Sequence, residues 1–393
     1  MPDRMYFGAF CVFLFVSGFL RAFGEIGYLV FCLATFLYAF PYLVRGLTPG
    51  LLCFAGIGII YILLSFMNAF PDAWTRFYSS SWILRQSFFV VMFPLHLISF
   101  RRFWERVIRF ESRDAVVNVS FVASAIGIVL FRAGGLGDFG ITSKDTSVVI
   151  YAIPNLMNAT IIFILSWCEI IYRCRTQKAR LGLLLLTLVA VLATPSNAQT
   201  VLVSFAIVGL SIVPFPRVGL AVAYAGLLVA FILAVTLAPG SVVNDPNTWI
   251  RMAFWQDALS AFNQSQWVGV GFGKEAVVNL YPSLRKAHYM FEQFRLVGQS
   301  IHNSFLYVFY RMGLFGGLAF LYVVFVELFP KSLSNNKSVR LMLIAHVICV
   351  LCLFVNVGLE SPYFLVGVCW SLGFIMGIQE TVSVEERGRH KAA

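Results

Sequence analysis

Charged residues are scarce in this sequence. Asp, Glu, Lys and Arg make up 12% of its 393 residues, where soluble domains carry about 25%. A chain this poor in charge cannot cover a water-facing surface, which excludes a soluble globular class and leaves an integral membrane protein. Histidine is sparse too, with five in the chain. Only His288 and His302 fall at the face read below as external, too few for a metal site, and no acidic pair at ligand spacing stands near them. The eight cysteines lie in apolar runs or, for Cys174, beside a basic loop, so no disulfide framework is expected. Cys349 and Cys352 have CxxC spacing, but in an apolar stretch they read as small packing residues. The chain shows no repeat at a solenoid period, no low-complexity tract and no soluble domain. Its start lacks a strongly basic segment and a small-x-small cleavage site, so residues 5–20 read as a retained first helix.

Apolar runs dominate instead. Hydrophobic residues reach 60%, with 40 Phe and 15 Tyr. Spanning helices need about 20 apolar residues, and twelve stretches qualify: 5–20, 26–44, 47–67, 82–100, 115–131, 148–171, 181–194, 199–215, 217–238, 303–329, 341–357 and 362–379. The shortest two, 181–194 and 199–215, are separated by the polar break from Thr194 to Gln199. The expected fold is therefore an all-α polytopic membrane protein with about twelve transmembrane helices and one long external loop between the ninth and tenth. The net charge of +11 sits in short clusters between apolar runs, a pattern that sets topology rather than binding nucleic acid. With the N-terminus inside, cytoplasmic segments hold eighteen Lys and Arg, and the short opposite loops hold only Arg21, Arg76, Arg132 and Lys144. Both termini are then cytoplasmic, and four units follow. Residues 1–238 carry nine helices, 239–302 form a periplasmic loop domain, 303–379 carry three helices, and 380–393 are a tail.

The loop domain is the one long polar interruption. Asp245 and Pro246 read as an N-cap and first helical position, opening a helix to about Phe262. Trp255, Leu259 and Phe262 share a stripe there, with Arg251 one turn before Trp255. Such a helix should lie on the membrane surface or the bundle mouth; the plainer reading of Arg251 is an arginine snorkelling to headgroups. Gly269, Gly271 and Gly273 form G-x-G-x-G without the strand and helix of a nucleotide fold. A tight turn that returns the chain to the bundle fits them better than a phosphate loop. The stretch from Lys274 to Ser300 is long enough for a binding loop or lid.

His302 and Asn303 open the tenth helix, where free N–H groups favour anions and a histidine titrates near neutral pH and acts as a base. Capping alone is the plainer reading of this pair. Charges inside a membrane often mark function: Arg85 lies one turn into the fourth helix, with Arg76 just outside, and Arg311 lies nine residues into the tenth. Their competing reading is a structural bond to helix ends or carbonyls. Glu327, Glu169 and His96 fall near cytoplasmic ends and read as interfacial. Glu360, in the turn Glu360-Ser361-Pro362, is a second candidate base or an arginine partner. Arginines clamp phosphates bidentately without a metal, so a lipid-linked diphosphate at the bilayer surface suits this set.

Arg251-Met-Ala-Phe-Trp255-Gln-Asp-Ala-Leu259, then Val268 to Gly273, then His302-Asn303-Ser304-Phe305-Leu306 with Arg311-Met-Gly313-Leu-Phe-Gly316, resembles the O-antigen ligase and Wzy-type polymerase superfamily. The resemblance is strongest over residues 194–329. It implies a bacterial inner-membrane glycosyltransferase, metal-independent, inverting and without a cofactor. The implied donor is a glycan on undecaprenyl diphosphate, and the acceptor a lipid-linked repeat unit or lipid A–core. Membrane lipids, a flippase and a chain-length regulator are the implied partners. Arg251 matches the arginine that opens the family's external-loop helix, and His302 the histidine of its HN motif; both are the implied catalytic residues. Arg85, Arg76, Asn303, Arg311 and Glu360 are expected to bind substrate. Many members, ligases especially, carry Ser-Arg in the turn before the eighth helix, where this chain has Ser196-Asn197. An asparagine supplies no positive charge, which tilts the reading toward a polymerase of O-antigen or exopolysaccharide repeats over a ligase. A lipid-linked sugar transporter is the competing class, although repeated halves with matching helix breaks are missing from the sequence.

Overall fold

The computed structural model describes residues 2–16, 21–70, 80–110, 112–133, 146–174, 176–193, 198–212, 214–236, 246–273, 301–330, 337–355, 359 and 365–392. The polar break at Thr194–Asn197, Arg76, Asp245, His288, the Lys274–Ser300 stretch and Glu360 lie outside them. All regular structure among the described residues is helical. In chain order the longer described helices are α1 Pro2–Val16, α2 Arg21–Ala39, α3 Pro49–Phe66, α4 Ser80–Arg109, α5 Arg113–Ala133, α6 Thr146–Tyr172, α7 Gln177–Ala193 and α8 Ala198–Ile212. Then follow α9 Pro216–Thr236, α10 Pro246–Gln264, α11 Ser304–Tyr322, α12 Lys337–Val355 and α13 Leu365–Ala392. Every apolar stretch read as a span holds one of these helices, and α10 occupies the expected loop helix. Among the described residues, five segments are long and apolar enough to cross a membrane: Gly27–Gly46, Pro49–Phe66, Trp82–Arg109, Pro216–Leu233 and Ser304–Glu327. The chain is a helical membrane protein.

Lipid supplies no hydrophobic drive between helices, so close packing must come from small residues and polar contacts. The largest helix pairing, α4 on α13, shows how. A Cβ at Gly373 would meet the Phe100 Cβ at 2.5 Å, and one at Gly377 would meet the Trp104 Cβ at 2.6 Å. These two glycines, four apart, therefore let α13 sit directly on α4. Around them Trp370 packs on Phe100 and Trp104 with centroids 5.2 and 4.8 Å apart.

Charged and polar residues inside the bundle are mostly committed to structure. Glu327 accepts from the Thr48 hydroxyl at 2.5 Å and from the Gly50 N–H at 2.8 Å, so it caps the start of α3. Glu169 pairs with Arg113 at 2.7 Å. His96 is fully buried, with Nδ1 3.2 Å from the Thr35 hydroxyl. All eight cysteines are free thiols.

Candidate functional site

Helix α10 docks on the mouth of the bundle. Its buried side is formed by Met252, Phe254, Trp255, Ala258 and Ala261, with Leu259 and Phe262 only half-buried. The buried stripe is thus wider than expected, because the helix meets protein and not a flat lipid surface. Trp255 packs on Phe231 of α9 and Phe354 of α12, centroids 5.3 and 5.9 Å away. Its indole N–H donates to the Ile301 carbonyl at 3.2 Å. That bond ties α10 to the residue preceding His302.

After α10 the chain turns through Gln266 and Trp267, both at positive φ, and runs into a break in α11. Gly313 sits there at φ 65°, ψ −168°. A helix interrupted at this point leaves carbonyls and an amide without intrahelical partners, which is tolerable in a membrane only if protein satisfies them. The 267–273 loop does so. Val270 N–H donates to the Tyr310 carbonyl at 2.9 Å, Gly271 N–H to the Arg311 carbonyl at 3.0 Å, and Leu314 N–H to the Trp267 carbonyl at 2.9 Å. The two backbones lie so close that a Cβ at Gly269 would meet the Gly313 nitrogen at 2.5 Å. Beyond this, Phe272 N–H donates to the Ser65 hydroxyl and Gly273 N–H to the Gln86 side-chain carbonyl, at 2.8 and 2.7 Å. The amides from Val270 to Gly273 are therefore all engaged within the protein. The G-x-G-x-G segment is a latch, and no phosphate cradle remains in it.

Arg311, expected to bind substrate, is 0% exposed. Its Nη1 donates to the Gly271 carbonyl at 3.1 Å, and its guanidinium lies 5.3 and 5.0 Å from the ring centres of Tyr307 and Tyr310. It sits where the upper half of α11 ends, and a cation complements the negative end of a helix dipole. This arginine holds the latch through Nη1, while its Nε and Nη2 are buried without a hydrogen-bond partner among the described residues.

The residues at the head of α11 have different surroundings. Asn303 is the N-cap, its side-chain oxygen accepting from Leu306 N–H at 3.0 Å. Ser304 takes the Leu359 N–H at 2.9 Å, which fixes Leu359 against this helix start. Asn303→Ala should cost about 1 kcal/mol of stability through loss of the cap, read as a lowered midpoint of thermal unfolding in micelles. His302 itself is half-buried, at φ 56°, with its ring 6.3 Å from that of Phe254. Burial, then the charge of Arg251, push its imidazole down to about 3. Arg251 is likewise half-buried. The two residues implied as catalytic, 51 positions apart in the sequence, thus share one neighbourhood. Arg85 is exposed on α4, one residue from the latch anchor Gln86.

Residues 156–321 match the O-antigen ligase family model. The match covers less than half of the chain and supports, over that segment, the O-antigen ligase/Wzy-type resemblance. It includes Arg251, the glycine latch, the HN motif and Arg311. No curated protein matches the chain. Sequence reasoning missed Ser65, Gln86, Phe254 and Ile301 as supports of the latch and of the head of α11; a serine and a glutamine inside otherwise apolar helices were the available signal for the first two.

Proposed function

We propose that this membrane protein transfers a glycan from undecaprenyl diphosphate to a sugar hydroxyl at the periplasmic face of a bacterial inner membrane. The observation that carries the reading is the placement of Arg251 beside His302 at the head of α11, within the matched family segment. In this scheme all twelve apolar helices cross the membrane and both termini are cytoplasmic. The acceptor oxygen attacks the anomeric carbon while the bond from that carbon to the diphosphate oxygen breaks, with inversion. The acceptor proton passes to the imidazole of His302. The diphosphate leaves with its charge on Arg251, assisted by Arg85 or Arg76. Asn303 holds the helix start on which His302 sits, and Glu360 orients the acceptor or an arginine. Arg311 has a positioning role through the latch.

An imidazole held near 3 is neutral at all ordinary pH and a weak base. A bound diphosphate neutralises Arg251 and adds negative charge, and both effects raise the proton affinity of a nearby histidine. Protonated His302 cannot accept the acceptor proton, so activity falls as pH falls through its pKa. The acid limb of kcat, which reports the donor complex, should therefore lie at higher pH than the acid limb of kcat/KM, which reports the free enzyme. Coincident limbs would remove His302 as the group responsible.

Asn197, in place of the family's turn arginine, favours a polymerase; the matched family's description favours a ligase. Purified protein in vesicles, given undecaprenyl-diphosphate repeat units in EDTA, separates the readings. Ladders of lipid-linked glycan establish a polymerase. Transfer only once lipid A–core is added establishes a ligase. Movement of labelled lipid across the bilayer without transfer overturns both in favour of a transporter.

A further inference from the structure

Helices α8, α9 and α12 enclose an apolar groove of about 460 Å³, lined by Gly209, Leu210, Gly219, Leu220 and Gly226 among others. A Cβ built at Gly209 or Gly226 meets nothing within 4 Å, so space beside both glycines is left unfilled by the protein. Only 11% of the α9 window Pro216–Leu233 is buried, which opens the groove toward lipid. Three guanidiniums lie outside its lining, tied to residues near its Leu210 and Gly219 end. Arg340 Nη1 donates to the carbonyls of Leu210 and Ser211 at 2.7 and 3.4 Å. Arg180 lies 4.8 Å over the ring of Tyr172, whose hydroxyl is 2.8 Å from that of Ser211. Arg217, two residues before Gly219, donates to the Pro330 carbonyl at 3.4 Å.

Arg340 has a structural task, completing the last carbonyls of α8. Arg180 and Arg217 do not share it, and neither forms an ion pair with a described carboxylate. Glu169, one turn before Tyr172 on α6, is already taken by Arg113. Phe231, which touches Trp255 of the glycan site, lies fourteen residues beyond Arg217 on α9, roughly 21 Å at about 1.5 Å per residue. An anion held at Arg217 is therefore not the diphosphate held at Arg251.

We propose that this groove binds an anionic glycerophospholipid of the opposite leaflet, its phosphate diester at Arg180 and Arg217 and one acyl chain along Gly209 to Gly226. The match of positive charge to an anionic headgroup, next to residues that flank an apolar groove, selects this occupant. The site stands whether or not the glycosyltransferase reading is right. Native mass spectrometry of the full chain, offered phosphatidylglycerol, phosphatidylcholine or undecaprenyl phosphate, tests it. The wild type should retain phosphatidylglycerol preferentially. Arg180→Gln and Arg217→Gln should each weaken that retention about fivefold, from roughly 1 kcal/mol per basic residue. Gly226→Leu, whose Cβ meets nothing within 4 Å and whose side chain enters the groove, should expel the lipid while both arginines remain. Equal retention of the two lipids, or retention unchanged in all three variants, overturns the proposal. It is overturned equally if Gly226→Leu alters only the oligomeric state, which makes the occupant a second copy, or if undecaprenyl phosphate alone is retained.

Discussion

Arg251→Ala is expected to lower glycan transfer by about 10²–10³-fold, the usual cost of removing a preorganised group that meets charge developing in a transition state. Because the scheme rests the leaving-group charge chiefly on Arg251, most of this loss should appear even with Arg85 and Arg76 in place. Arg251→Lys should recover only part of it, because an ammonium cannot hold two phosphate oxygens in a fork. The alanine variant also removes the positive charge that depresses His302. Its imidazole should therefore titrate at higher pH in the free enzyme, moving the acid limb of kcat/KM upward even as the rate falls. Initial rates with a purified lipid-linked donor, taken across pH for all three proteins, check both effects. A surface arginine that only reaches for headgroups would give wild-type rates and an unmoved pH profile.

Gly313→Ala should damage the fold itself. The backbone there, at φ 65° and ψ −168°, strains any residue with a Cβ by about 1–3 kcal/mol. The added carbon would also meet the Val268 carbonyl oxygen at 2.2 Å and the Tyr61 hydroxyl at 2.7 Å. Relieving that clash means lifting the latch, which exposes the Tyr310 and Arg311 carbonyls and the Leu314 N–H; each buried group left unpaired costs about 1–3 kcal/mol. The combined loss should exceed about 3 kcal/mol and show as a large drop in thermal unfolding midpoint or in recovery from the membrane. Gly182→Ala is the matched control, since its Cβ meets nothing within 4 Å and Ala favours a helix over Gly. Equal midpoints for the two variants would mean that the latch carries no stability.

Much of this architecture is legible one helix at a time. Each apolar stretch near twenty residues announces a helix, and Pro246 followed by Trp255 announces α10, because length, apolarity and caps are local properties. The glycines at 269, 271 and 273 are readable as a turn for the same reason. Their destination is not. The gap they fill opens at Gly313, 40 positions or more away, and only a long-range contact shows that one segment completes the hydrogen bonds of the other. Arg311 marks the limit of charge as a signal. An arginine inside an apolar helix points to function when judged alone, yet a carbonyl and two tyrosine rings already surround it. His302 and Arg251 were separable from such cases only by the ordered motif set, because their proximity is again a property of the folded chain.

The measurement closest to the central claim is single-turnover transfer by His302→Ala and His302→Gln, with donor affinity determined in the same micelles. The account predicts donor binding within a fewfold of wild type and transfer reduced by about 10²–10⁴-fold, the contribution of a positioned general base. Transfer by both variants at the wild-type rate would contradict it, and would leave His302 as a residue that only shapes the start of α11.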